Sequence, residues 1–217
     1  LFVRKSLQID SKRFESNKML GEILIKQNNY IEAEYYFLNA FKLKRNSSSV
    51  CANLSYSLVK QNKNKEALFY AKLSCNLAPG NPKYINNLGL IYKINKLDSE
   101  AKREFNNAIK ILPSFYEAHN NLGIILQNSS PSEAIIHFKI AQQDNSLLEE
   151  IYINMSVTYR KMSDAYLAKK YANKSLKINP KNYKCYKLLG VLCLDKGDFK
   201  HAIKNFEETL RLNPLDA

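Results

Sequence analysis

A chain of 217 residues in which 45% of side chains are hydrophobic and 24% are charged has the make-up of a folded protein, which excludes a disordered tail. The formal charge of +13 invites a phosphate-bearing partner, but the lysine excess comes with abundant Asn, Ile and Tyr and no Trp, the mix expected of AT-rich codons. No window approaches about 18 consecutive apolar residues and Leu1 to Lys5 lack the apolar stretch of a secretory signal, so no membrane contact is expected and a cytoplasmic location is read provisionally.

In chain order, residues 1–13 read as the end of an earlier helix, and the chain begins with Leu1 rather than Met. From residue 14 a pattern recurs. Leu20-Gly21 is followed by Ala33, Phe37 and Ala40, then Leu54-Ser55 by Ala67 and Pro79. Leu88-Gly89 is followed by Tyr92, Ala101, Phe105, Ala108 and Pro113, and Leu122-Gly123 by Ala134, Phe138 and Ala141. Met155-Ser156 precedes Tyr159, Ala168 and Pro180, and Leu189-Gly190 precedes Ala202, Phe206 and Pro214. The repeats fall at 14–47, 48–81, 82–115, 116–148, 149–182 and 183–216, within one domain over 1–217. The fourth is one residue short, at a turn where Ser130-Pro131-Ser132-Glu133 reads as a capping box with Pro at the first helical position. Asn29-x-x-Glu32 is a similar start signal.

These spacings resemble the L-G-x-x-Y, A-x-x-x-F and terminal Pro signature of the tetratricopeptide repeat (TPR) family along the whole chain. The physics agrees with the signature. Glycine inside a helix costs about 1 kcal/mol relative to Ala, so it is expected where a neighbouring helix leaves no room for a side chain. The recurring Ala residues serve the same close contact, and the recurring aromatics read as core. Each helical pair has an apolar face it cannot bury alone, so neighbours stack. The resemblance implies an all-α fold, a right-handed α-α superhelix or TPR solenoid, with the first helix of each repeat on the concave wall. Both ends then look cut from a longer array, with end-to-end self-association through uncapped terminal repeats and fraying as alternatives.

By the same resemblance, the sixth place of each repeat faces the groove, and four consecutive repeats carry Asn there: Asn53, Asn87, Asn121 and Asn154. The row resembles the asparagine ladder of the O-linked N-acetylglucosamine transferase superhelix, most closely in the Asn-Asn-Leu-Gly segments that begin at Asn86 and Asn120. A carboxamide offers two donors and an acceptor and pairs with both polar groups of an extended peptide backbone. The alternative is that these amides bond their neighbours. Tyr56, Leu90, Ile124 and Val157 occupy the ninth places and suit apolar ligand groups, with Lys60 and Lys83 among the basic lining. The carboxylate clamp that some family members use on chaperone tails is broken: Lys18 and Lys187 hold fifth places, but Glu22 and Val191 stand at the ninth.

No catalytic motif, phosphate loop or metal pattern is found. His119, His137 and His201 look isolated, and Cys51, Cys75, Cys185 and Cys193 form no CxxC pair and read as small buried thiols. The reading is therefore a non-enzymatic scaffold or adaptor that binds an extended protein or peptide segment, with no cofactor and no metal. Nucleic acid is not expected, because Tyr56 is the one aromatic at the groove positions. The alternative is the substrate-recruiting region of a larger glycosyltransferase.

Overall fold

Apolar residues recurring every three or four positions, interrupted by short polar turns, fold into helical hairpins. The computed structural model describes residues 13–214, so the helix end expected over 1–13 lies outside the described residues save for Arg13. The hairpins are α1 (Phe14–Lys26) with α2 (Tyr30–Leu43), α3 (Ser48–Lys60) with α4 (Asn64–Leu77), and α5 (Pro82–Ile94) with α6 (Asp98–Ile111). They continue as α7 (Tyr116–Leu126) with α8 (Pro131–Ala141), α9 (Leu148–Lys161) with α10 (Ala165–Ile178), and α11 (Tyr183–Leu194) with α12 (Phe199–Leu212). No strand occurs among the described residues, and none of their helices is long and apolar enough to cross a membrane.

By its contacts the chain divides into two compact units, Leu1–Pro113 and Ser114–Ala217. In the first, each helix from α1 to α6 packs on the next, and the first helices of successive hairpins, α1, α3 and α5, also touch. The second repeats this plan from α7 to α12, with α9 against α11. Leu24, Phe37, Leu54, Leu58, Phe105, Leu122, Phe138 and Met155 are fully buried between these layers.

Two kinds of joint hold the hairpins closed. In the first kind, a glycine of the first helix faces a phenyl ring of the second. A Cβ built on Gly89 would stand 2.6 Å from Cε1 of Phe105, and Gly21, Gly123 and Gly190 meet Phe37, Phe138 and Phe206 in the same way. In the second kind, serine replaces glycine and alanine replaces phenylalanine. Ser55 stands sixteen residues before Ala71, and Ser156 sixteen before Ala172. The Ser55 hydroxyl donates to the Ala67 carbonyl at 2.7 Å, and that of Ser156 to the Ala168 carbonyl at 2.6 Å. A buried hydroxyl needs such a partner, and the backbone of the facing helix supplies it.

The turns inside the hairpins also follow one rule with one departure. Asn28, Asn62, Lys96, Ser163 and Gly197 have positive φ, and the next residue donates its N–H five residues back, as Leu97 does to Tyr92 at 2.9 Å. This is a left-handed helix stop. The fourth hairpin lacks that residue, and Ser130 closes the turn by donating four residues back to Leu126 at 2.8 Å. Ser130 then sits at φ −149° and makes no side-chain cap, so the expected capping box does not form, although Pro131 does open the helix. The Asn29 start signal does form: its side chain accepts from Glu32 N and donates to the Glu32 carboxylate at 2.8 Å. Because a non-glycine residue in the left-handed region costs about 1–2 kcal/mol, Lys96→Gly is expected to stabilise the first unit by about 1 kcal/mol, read as a higher urea midpoint. An unchanged midpoint would mean the turn carries no such strain.

Candidate functional site

Hydrogen bonding and crowding decide which polar groups on the first helices stay available. In the first unit, α3 and α5 lie side by side, and four of the residues expected in the groove come together. Tyr56 and Lys60 from α3, with Asn87 and Leu90 from α5, surround one recess of about 210 Å³. Its walls add Ala52, Val59, Ile91 and Ile94, and its floor reaches Ala71 and Ser74 on α4. Asn87 is exposed, and Tyr56 retains 43% exposure. The Tyr56 ring is fixed edge-on against Tyr30, with centroids 6.1 Å apart, while Lys60 Nζ lies 5.3 Å from its centroid. A cation over a ring face is held by the ring quadrupole, which keeps that ammonium at the rim.

The other asparagines of this unit are more committed. Asn53 is half-buried and its amide donates to Glu22 Oε1 at 3.4 Å, joining α3 to α1. Asn86 is buried with 5% exposure, which leaves little of its side chain for a ligand. Lys83 is exposed in the first turn of α5, and its backbone N–H donates to the Asn81 cap at 3.0 Å.

In the second unit the amides bond one another. Asn120 is buried on α7, donates to Glu150 Oε1 at 2.9 Å, and accepts from the Asn154 amide of α9 at 3.0 Å. Asn154 and Asn121 are half-buried, as are Ile124 and Val157. The Asn154 carbonyl also accepts from Gln127 and from the Thr158 hydroxyl, so this stretch of α9 is tied to α7. Arg160 on α9 and Asp195, which caps the end of α11, form an ion pair at 2.8 Å. That contact holds the Asp195 carboxyl below the usual carboxylate range.

Two expectations from the sequence change here. His119 and His137 are not isolated: their Nδ1 atoms lie 2.9 Å apart, and His119 is buried. An N–H···N bond needs one ring nitrogen deprotonated, so both rings cannot be imidazolium while it lasts. Among the described residues no cluster of three His, Cys, Asp or Glu is placed to hold a metal. The four cysteines are free thiols; Cys51 and Cys185 are buried, whereas Cys75 and Cys193 are only half-buried. Burial pushes the thiols of Cys51 and Cys75 up to about 11, so they are poor nucleophiles near neutral pH.

Sequence reasoning missed the floor and side walls of the recess: Val59, Ala71, Ser74 and Ile94. The signal was present at Ser55 and Ala71, where the second hairpin departs from the Gly/Phe pairing of its neighbours.

Comparison with known proteins places this arrangement among others. The family model described as tetratricopeptide repeat matches residues 149–182 and 183–214. Human protein O-mannosyl-transferase TMTC3 is 27% identical over 203 residues, a match taking in 89% of this chain and 22% of that protein. The chain thus spans under a quarter of that relative. Among solved structures, the APC/C hetero-tetramer Cut9–Hcn1 superposes with a TM-score of 0.87 at 17% identity, covering 99% of this chain and 43% of that one. PilF of Pseudomonas aeruginosa gives 0.78 at 19% identity, covering 94% and 93%. YrrB, a TPR protein with an unusual peptide-binding site, gives 0.63 at 17% identity, covering 84% and 95%. At these identities the structures share the fold.

Proposed function

Residues 149–182 and 183–214 being tetratricopeptide repeats, and the helix pairs before them having the same fold, we propose that the chain is a scaffold or adaptor module holding an extended peptide along its first helices. The observation that carries this is the meeting of Tyr56, Lys60, Asn87 and Leu90 around one open recess, with the exposed Asn87 amide at its edge. Asn87 and Asn53 offer amides to the ligand backbone in the first unit, and Asn121 and Asn154 do so in the second. Ile124 and Val157 add apolar contact, and Lys83 adds charge. Asn120 acts indirectly, by tying α9 to α7 through Glu150 and Asn154.

Magnitudes set the role of each group. A net hydrogen bond is worth about 0.5–1.5 kcal/mol, so four amides sum to about 2–6 against an association cost of about 4 or more. Apolar contacts must therefore supply most of the affinity. Replacing Asn53, Asn87, Asn121 and Asn154 by Ala is expected to weaken peptide binding by about tenfold or more with helicity retained. Unchanged affinity for peptides selected on the parent chain would remove the amides from the site.

A second reading is favoured by the similarity to the O-mannosyl-transferase: the chain recruits substrate for a glycosyltransferase of which it is one part. It predicts a transferase domain in the same open reading frame, and a frame without one would dismiss it.

A further inference from the structure

We infer that the recess between α3, α4 and α5 is a socket for one aromatic side chain of a peptide that carries a carboxylate on the adjoining residue. This rests on the peptide-binding reading above and names the ligand chemistry it selects. The chain itself supplies the template for the occupant. In the hairpins on either side, Phe37 and Phe105 fill the space beneath the first helix; in the second hairpin the corresponding residue is Ala71, and the vacated space opens to the surface. Ser55 in place of glycine narrows that space without filling it, and about 210 Å³ remains. An apolar cavity of about 150 Å³ suffices for a benzene ring.

The chemistry of the lining agrees with its size. The two hydroxyls at the floor already donate to backbone carbonyls of α4, Ser55 to that of Ala67 and Ser74 to that of Ala71 at 2.8 Å, so neither needs a polar ligand. The walls are Ala52, Val59, Leu90, Ile91 and Ile94. The mouth is open because Val59 and Ile94 cannot bond across it. In the fifth hairpin, which has the same Ser/Ala joint, the corresponding residues are Arg160 and Asp195, and their ion pair spans the equivalent gap. At the rim, Lys60 is held over Tyr56 and presents a fixed cation beside the opening, which favours a carboxylate next to the buried ring.

The test pans a random decapeptide phage library on the intact chain, then measures the enriched peptides on variants. S55G/A71F rebuilds the glycine–phenyl joint of the neighbouring hairpins and so plugs the socket from within while helicity is kept. Ala71→Met plugs it without touching Ser55 and serves if the double variant misfolds. The expected result is enrichment of an aromatic residue next to Asp or Glu, a loss of about 10- to 100-fold in affinity on either plug, and a loss of acidic preference in Lys60→Glu. No enrichment, enriched peptides without an aromatic residue, or full affinity on the plugged chains overturns the socket. N53A/N87A separates the two readings. Peptides lost on that variant but retained on the plugs leave the groove standing without the socket, and peptides insensitive to both sink the two together.

Discussion

Phe105→Ala is expected to destabilise the first unit by about 3–5 kcal/mol, and adding Gly89→Ser is expected to restore part of that loss. The ring is fully buried, and its Cε1 lies where a Cβ on residue 89 would come within 2.6 Å. Removing it forfeits the transfer energy of the phenyl group and leaves a void. Gly89→Ser alone crowds the ring and costs about 1–3 kcal/mol through overpacking. Together, however, the two changes write the joint of the second hairpin into the third. The serine hydroxyl gains the Ala101 carbonyl as an acceptor, as Ser55 has that of Ala67. A double-mutant cycle by urea unfolding should thus give a coupling of about 1–3 kcal/mol, with the double variant more stable than Phe105→Ala alone. Simple additivity would show that the two joint types are unrelated accidents of packing.

The second large effect is expected at Asn120. Its carboxamide, buried on α7, bridges Glu150 and Asn154 on α9. Asn120→Ala removes a hydrogen bond to a charged acceptor, worth about 1.5–3 kcal/mol, together with the bond that Asn120 accepts from the half-buried Asn154 amide. The second unit should lose about 2–3 kcal/mol in chemical denaturation. A variant of full stability with weakened peptide binding would instead put Asn120 in direct contact with the ligand.

The hairpins were legible because Gly, Ala and aromatic residues mark helix contacts directly, and a contact that recurs at fixed spacing is visible without coordinates. Leu88-Gly89 with Ala101 and Phe105 is such a case. The polar face was harder to read. Asn120 and Asn121 are neighbours in sequence, yet one is buried and the other half-buried, because successive helical residues differ by about 100° in direction and Asn120 is the one turned to bond Glu150 and Asn154 on α9. Which amide meets solvent depends on the partner helix, and Glu150 and Glu22 are partners that no single repeat reveals. The His119–His137 contact is likewise made between two helices of a hairpin, and nothing in the spacing of eighteen residues announces it. Ser130 misled for a different reason: the turn before it lacks the left-handed stop of the other hairpins and closes through the Ser130 N–H, and at φ −149° Ser130 makes no side-chain cap.

The two joint types have an evolutionary corollary. Because a hairpin settles its own glycine–phenyl or serine–alanine pairing, two codon changes within it vacate or refill the space beneath its first helix, and the residues at the rim, Val59 and Ile94 in one case and Arg160 and Asp195 in the other, set whether that space is spanned. Arrays of this kind can therefore diverge in what they hold one module at a time, each intermediate keeping its neighbours' seams intact.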